Sequence, residues 1–452
     1  MMNRRRFLQT SAAAVGALSG LPSLDAAQAE APKGDRPSQA AGVAVLNPRT
    51  RVPLSFLIDD STPLVNLAHF CIPQFQHAFP GKYPQDWRKL PREIPDAFVR
   101  KFGEWCRERK VRGKYSVIPY PACVGWIDRE LPGWTRKELD DSLALLRDFM
   151  AKDWDFTPEM VTHTRMVDIK TGKPVPEYNA GWMENTWSAG KSYEQLHEYC
   201  AYALQGVKDA GLVCQGVTSP GGFAGRSLPN YSKAVFQACC DVYGTEIPFY
   251  LKKVHTDDRS VAPEVLCASG LDTDDPKAVV SIIGCTGDWF GGWDGLTRGS
   301  VDQFITEDLK GGRLPQVIAK GEPAVLLCHW PGMYFNGEEV GFNILKEIVA
   351  RLDRAYDHLA WMTFSELARY WSAKELTRID KAAGAVTFKA PFACPQYTVR
   401  VDGPLGKPPS FQGAPLREVA RPLLIGSGAY VRDGDAFIAC FDLPKGPSTL
   451  TC

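Results

Sequence analysis

The sequence predicts an α/β chain whose main body is a (β/α)7–8 barrel, followed by a small β-rich C-terminal module. Two observations carry this. From residue 51 to 372, short apolar runs of strand length alternate with amphipathic stretches of helical length, the pattern of parallel strands joined by crossover helices. Past about Ala373 the helical periodicity stops, and short apolar runs are separated by Gly and Pro turns over 373–452. One layer of seven or eight strand-helix units closes most readily as a barrel, with a doubly wound open sheet as the alternative.

The expected strands of the main body are 52–58, 115–118, 160–163, 212–217, 248–254, 279–283, 324–327 and 359–362. Helices are expected at 96–110, 137–150, 193–210, 232–243 and 342–356. Three helix starts carry a capping box: Thr135 with Glu138, Ser192 with Gln195, and Thr363 with Glu366. In the C-terminal module the strands are expected at 385–388, 396–401, 422–424 and 436–441.

The first 29 residues read as a twin-arginine signal peptide. Asn3-Arg4-Arg5-Arg6-Phe7-Leu8 is followed by a small apolar run and then by Ala27-Gln28-Ala29, an A-x-A cleavage site. Export by the twin-arginine machinery, to the periplasm or beyond, is the expectation. The apolar run is shorter than the ~20 residues that span a bilayer, and no membrane span is expected in the mature chain. Residues 30–50, rich in Ala, Pro, Gly and charge, read as a linker. Basic and acidic residues number 52 each, and losing the leader removes three arginines and one aspartate. A balance so close to neutral, with no basic run, argues against a nucleic-acid partner. The thirteen cysteines are odd in number and include no C-x-x-C pair, so they are expected as small apolar core residues rather than a disulfide framework.

In a parallel barrel the reacting side chains come from the C-terminal strand ends. The first strand delivers Asp59-Asp60-Ser61, the third His163-Thr164-Arg165 and the fifth His255-Thr256-Asp257-Asp258. The sixth reaches Thr286-Gly287-Asp288-Trp289 and the seventh His329-Trp330. Each residue alone has an ordinary explanation, an Asp as a helix cap and a His as a loop or core residue, but their joint placement on one face points to a functional cluster. Adjacent carboxylates in a cleft repel unless a cation offsets them. A divalent metal held by one Asp and a His would do so and leave the other Asp free as a base. An imidazole and carboxylate set with open positions suits a hydrolytic metal such as zinc.

These residues resemble the polysaccharide deacetylases, carbohydrate esterases with a distorted seven-stranded barrel and a metal held by one Asp and two His. Phe56-Leu57-Ile58-Asp59-Asp60-Ser61 is similar to the family's first motif, Thr162-His163-Thr164 to the start of its second, and Leu327-Cys328-His329 to its last. The resemblance implies Asp59 as general base, Asp60 and His163 as metal ligands, His329 as general acid and Asp288 as the residue that orients it. The family's second His follows four residues after the first, where this chain has Val167, and His255 is expected to complete the ligand set, ahead of His69 and Asp168. The family's Arg that pairs with the base is also replaced, by Thr218-Ser219-Pro220.

Arg165, Trp289, Trp293 and Trp330 fall in expected loops after strands and are candidate substrate contacts, because sugars stack their apolar faces on aromatic rings. The expected substrate is therefore a carbohydrate. Two other functions are open on the same barrel: a glycosidase using Asp59 with Asp288 or Glu184, and a non-catalytic carbohydrate-binding protein.

Overall fold

The computed structural model describes residues 31–452, so the expected signal peptide lies outside the described residues. The parallel strands of the main body are β1 (Val52–Asp59), β2 (Gly113–Ser116), β3 (Trp154–Thr157), β4 (Gly216–Thr218), β5 (Phe249–Val254), β7 (Lys277–Gly284), β8 (Ala324–His329) and β9 (Leu359–Trp361), while β6 (Glu264–Ser269) runs antiparallel to β7. One sheet has the order β8-β1-β2-β3, with β9 also pairing the start of β1. The other has the order β4-β5-β7-β6.

The two sheets approach each other at both margins. Phe156 at the end of β3 forms a parallel bridge with Cys214, and the N–H of Cys285, just past β7, donates to the carbonyl of Val325 in β8 at 2.8 Å. The first margin adds a bond from the Thr218 N–H to the Pro158 carbonyl at 2.9 Å and the second one from the Leu327 N–H to the Thr286 hydroxyl at 2.9 Å; these are isolated bonds rather than ladders, and no closed sheet results among the described residues. The expectation of a barrel is met as a mixed α/β fold of two adjoining sheets.

Strand β1 shows why its sequence is a near-continuous apolar run. Phe56 and Ile58 pack in one cluster with Phe98 and Phe102 of helix Asp96–Glu108, whereas Leu57 packs in another with Phe249, Leu251, Val280, Ile282 and Val325. Side chains alternate across a strand, and a strand covered on both faces must be apolar at successive positions. Each such Leu, Ile or Phe adds about 1.5–3 kcal/mol of transfer free energy.

All three capping boxes form, at helices Arg136–Ala144, Tyr193–Asp209 and Phe364–Leu376. The helix expected at 137–150 keeps its regular turns only to Ala144 and then widens into a π turn, Leu145–Phe149. The third strand lies earlier than expected, at Trp154–Thr157 rather than 160–163. Helix Leu67–Ala78, which carries Pro73 in its interior, and strand Glu264–Ser269 are additions to the expected elements.

The C-terminal residues form two further sheets around strands Cys394–Asp402 and Gly446–Thr451. Pro422–Leu424, expected as a strand, is a 3-10 turn. The stretch read as a linker is paired with both parts of the chain: Cys267 N–H donates to Pro32, Gln39 bridges Ile379, and Val43–Val45 runs antiparallel to Val399–Val401. None of the thirteen cysteines forms a disulfide, and nine are buried. Among the described residues no helix is long and apolar enough to cross a membrane.

Candidate active site

The centre is set by β1 and its two neighbours. β8 runs parallel to β1 in a register that places His329 beside Asp59, and β2 pairs β1 on a register that brings Lys114 beside Leu57. Lys114 is fully buried. Its ammonium spends all three donors, on Asp59 Oδ1 at 2.5 Å, Ser116 Oγ at 2.7 Å and the carbonyl of Ile58 at 3.0 Å. Burial and the neighbouring Glu159 push the Asp59 carboxyl up to about 6, against the pull of Lys114. Lys114 thus puts a cation beside Asp59, which the Thr218-Ser219-Pro220 segment does not.

Past β1 the chain turns sharply at Asp60 (φ 58°), and past β3 it does so at Met160 (φ 55°) and His163 (φ 65°). Left-handed backbone at non-glycine residues costs of order 1 kcal/mol or more each and gathers where function requires a fixed geometry. Here it brings Asp60, Glu159 and His163 together, with one ligand atom from each lying within 4.8 Å of the others. His163 Nε2 is 2.9 Å from Asp60 Oδ1 and 3.5 Å from Glu159 Oε1, and Glu159 Oε2 accepts from the Asp60 N–H at 2.9 Å.

Burial would push Glu159 up, but His163, Lys114 and the Asp60 N–H outweigh it and hold the carboxyl at about 2. Burial would likewise lower His163, yet Asp60, Cys71 and Glu159 raise it well above the usual imidazole range. Asp60 Oδ1 is buried with no donor aligned on it, although His163 Nε2 is close by. Two carboxylates and an imidazole converging on one point, with an orphaned oxygen among them, fit a divalent metal with mixed oxygen and nitrogen ligands.

Glu159 is the candidate ligand that the sequence reading missed. It sits two residues past β3 and four before His163. His255, expected as the third ligand, is not in the cluster. It follows β5, where its Nδ1 faces the Ser260 carbonyl at 3.0 Å. His69 is turned to the Leu90 carbonyl and Asp168 to its own turn, so neither reaches the trio.

His329 Nδ1 lies 3.0 Å from Asp288 Oδ1, and the other Asp288 oxygen accepts from the Trp293 N–H at 2.6 Å. Burial works against the charged imidazole of His329, but Asp288, Asp60 and Asp59 raise it to about 10, so it carries its proton at neutral pH.

Glu184 is fully buried and serves the loop. Its carboxylate accepts from the N–H groups of Val161, Thr162 and His163 at 3.1, 2.9 and 2.7 Å and from the Tyr199 hydroxyl at 2.5 Å. It therefore fixes the loop that carries His163 and is taken up by those donors, which removes it as the partner carboxylate of a glycosidase.

Of the four expected substrate contacts, Trp330 is corrected outright. It is fully buried, with its ring 5.1 Å from those of Phe98 and Phe102 and 5.3 Å from that of Tyr115, because the residue after His329 points to the helix layer. Arg165 donates to the Val175 carbonyl and lies over the Tyr178 ring, which binds it into its own loop. Trp289 packs edge-on to Phe304. Trp293 is half-buried and packs with Phe75 at 5.9 Å and Tyr83 at 6.0 Å, while Phe75 is 6.4 Å from the His163 ring. This aromatic group links the His163 side of the centre to the Asp288 side.

No family model and no curated protein matches the sequence. Among solved structures, the chain is similar to one provisionally described as a polysaccharide deacetylase from Mycobacterium smegmatis, at 14% identity and TM-score 0.42, covering 76% of this chain and 98% of that one. It is also similar to Puue allantoinase, at 10% identity and TM-score 0.36, covering 72% and 91%. An alpha-L-fucosidase matches at 10% identity and TM-score 0.30, covering 90% and 98%. Similarity this low establishes neither a family nor a reaction.

Proposed function

We propose that the chain is an exported metal-dependent hydrolase that removes an acyl group, most simply acetyl, from a carbohydrate, and that its two sheets are the halves of one distorted barrel. The observation that carries this reading is the convergence of Asp60, Glu159 and His163 beside the in-register pair Asp59 and His329. Asp60, Glu159 and His163 would hold the metal, zinc on the strength of the resemblance. A metal held there would polarise the acyl carbonyl and lower the pKa of its bound water.

The protein residues supply the proton transfers. Asp59 takes a proton from the attacking water, and its raised pKa of about 6 brings the base toward the working pH, where general catalysis is most effective. Lys114 holds Asp59 in place. His329, protonated and held at Nδ1 by Asp288, donates from Nε2 to the departing sugar oxygen. The ring group of Phe75, Tyr83 and Trp293 offers the sugar an apolar face.

The test is metal content first and chemistry second. Elemental analysis of the purified protein is expected to find about one divalent ion per chain, lost in Asp60→Ala and Glu159→Ala, and acetate release from acetylated oligosaccharides should vanish with a chelator and return with the ion. A wild-type protein that takes up no ion even when metal is supplied would sink the proposal.

A further inference from the structure

Strand β5 contains a bulge. Its register against β7 shifts between Ile282, which pairs Leu251, and Ile283, which pairs Lys253, so Lys252 is the extra residue. Bulges at sheet rims beside active sites re-aim a side chain that regular alternation would send elsewhere. Leu251 keeps its place in the core with Phe249, and Lys253 reaches Glu264 at 2.8 Å on β6. Lys252 instead turns toward the loop that follows β4, where its ammonium donates to the carbonyl of Gly221 at 2.5 Å.

Lys252 is half-buried, and among the described residues no carboxylate lies in salt-bridge reach of its ammonium. Burial alone lowers the ammonium to about 8, without an acidic group to offset it. A lysine in such a place ordinarily gains a counter-charge. Asn185 stands beside the same glycine. A Cβ built on Gly221 would come within 3.8 Å of the Asn185 amide nitrogen, and Asn185 Oδ1 is buried without a donor. Asn185 directly follows Glu184, the carboxylate that fixes the backbone of His163. Lys252 and Asn185 thus meet at Gly221, and Asn185 joins them to the segment that fixes the His163 backbone.

We infer that Lys252, beside Asn185, forms a subsite for an acidic sugar residue, with Lys252 taking a carboxylate or sulfate. This rests on the carbohydrate reading above and narrows it: the substrate is an anionic glycan rather than a neutral one. Hydrogen bonds to charged groups are the stronger class, and one lost here corresponds to about a tenfold change in affinity or more.

The experiment is calorimetric binding to the whole protein, which needs no turnover. The probes are an acetylated oligogalacturonide, its methyl ester, which has the same shape without the charge, and a sulfated oligosaccharide. The wild type should bind at least one of the two anionic probes about tenfold more tightly than the ester, and whichever anion is preferred identifies the group. Lys252→Met should lose that preference while binding the ester unchanged, and Lys252→Arg should keep most of it. Equal affinity for acid, sulfate and ester in the wild type overturns the subsite and leaves the carbohydrate reading standing, as does a preference that survives in Lys252→Met. Failure of all three glycans to bind overturns the carbohydrate reading and the subsite with it.

Discussion

Replacing Lys114 with Met tests whether Asp59 is a paired buried carboxylate. In the variant three acceptors lose their donor, and Asp59 Oδ1 keeps only the Ser116 hydroxyl at 3.3 Å. Removing one partner of a buried ion pair costs about 3–5 kcal/mol. The pH dependence separates charge from packing. A carboxyl whose folded pKa is raised binds its proton more tightly in the native state. Wild-type stability is therefore fully present below the unfolded value of about 3.9, falls as pH rises toward the folded value, and is level beyond it. For Asp59 that folded value is about 6. Without Lys114 the folded value moves higher, so the variant goes on losing about 1.4 kcal/mol per pH unit after the wild type has levelled off. Urea unfolding of chelator-treated protein, followed by tryptophan fluorescence at about pH 5.5 and about pH 8, should show a larger deficit at the higher pH. A deficit under about 1 kcal/mol at the higher pH, or one equal at both, would refute the pairing.

Five further substitutions probe the centre and its surroundings. Glu159→Gln should lower metal affinity at least tenfold while His255→Ala leaves it unchanged, read by competition with a colorimetric chelator; the opposite pattern would restore His255 as the ligand. Glu184→Gln sets an amide against the backbone N–H groups of Val161, Thr162 and His163, and should cost about 2 kcal/mol in denaturant unfolding, together with a weaker metal site. Trp330→Ala should cost about 3–5 kcal/mol through the cavity it leaves. Trp293→Ala should destabilise less but weaken oligosaccharide binding about tenfold, and equal effects from the two would remove the distinction drawn between them.

The sequence made the local rules legible. Each capping box needs only four residues, and all three form; β1, β5, β7 and β8 lie within a few residues of their expected bounds because their apolar runs are long. The third strand was displaced because Trp154-Asp155-Phe156-Thr157 carries an inward Asp155, whose carboxylate accepts from the N–H and hydroxyl of Ser365, a partner 210 positions away. That displacement hid Glu159, which then looked like a loop residue before a strand. Lys114 was hidden for a related reason: a lysine in a short strand reads as an edge or surface position until the carboxylate facing it is known. Trp330 was misread because a one-residue change of direction after His329 sends it from the rim to the core. What remained out of reach in each case was a contact between residues far apart in the chain.

The pairing of Val43–Val45 with Val399–Val401 bears on how the protein can be handled. Strand Cys394–Asp402 is hydrogen-bonded on its other side to Ala436–Leu443, so the early residues act as its cover strip. A shortened chain that began after Val45 would leave Val399, Val401 and their backbone groups as an open flank, the kind of surface on which a second molecule adds as another strand. Such a chain would gain a route to self-association without any change to the residues of the centre, and purification boundaries drawn for tidiness at the start of β1 would select for aggregates.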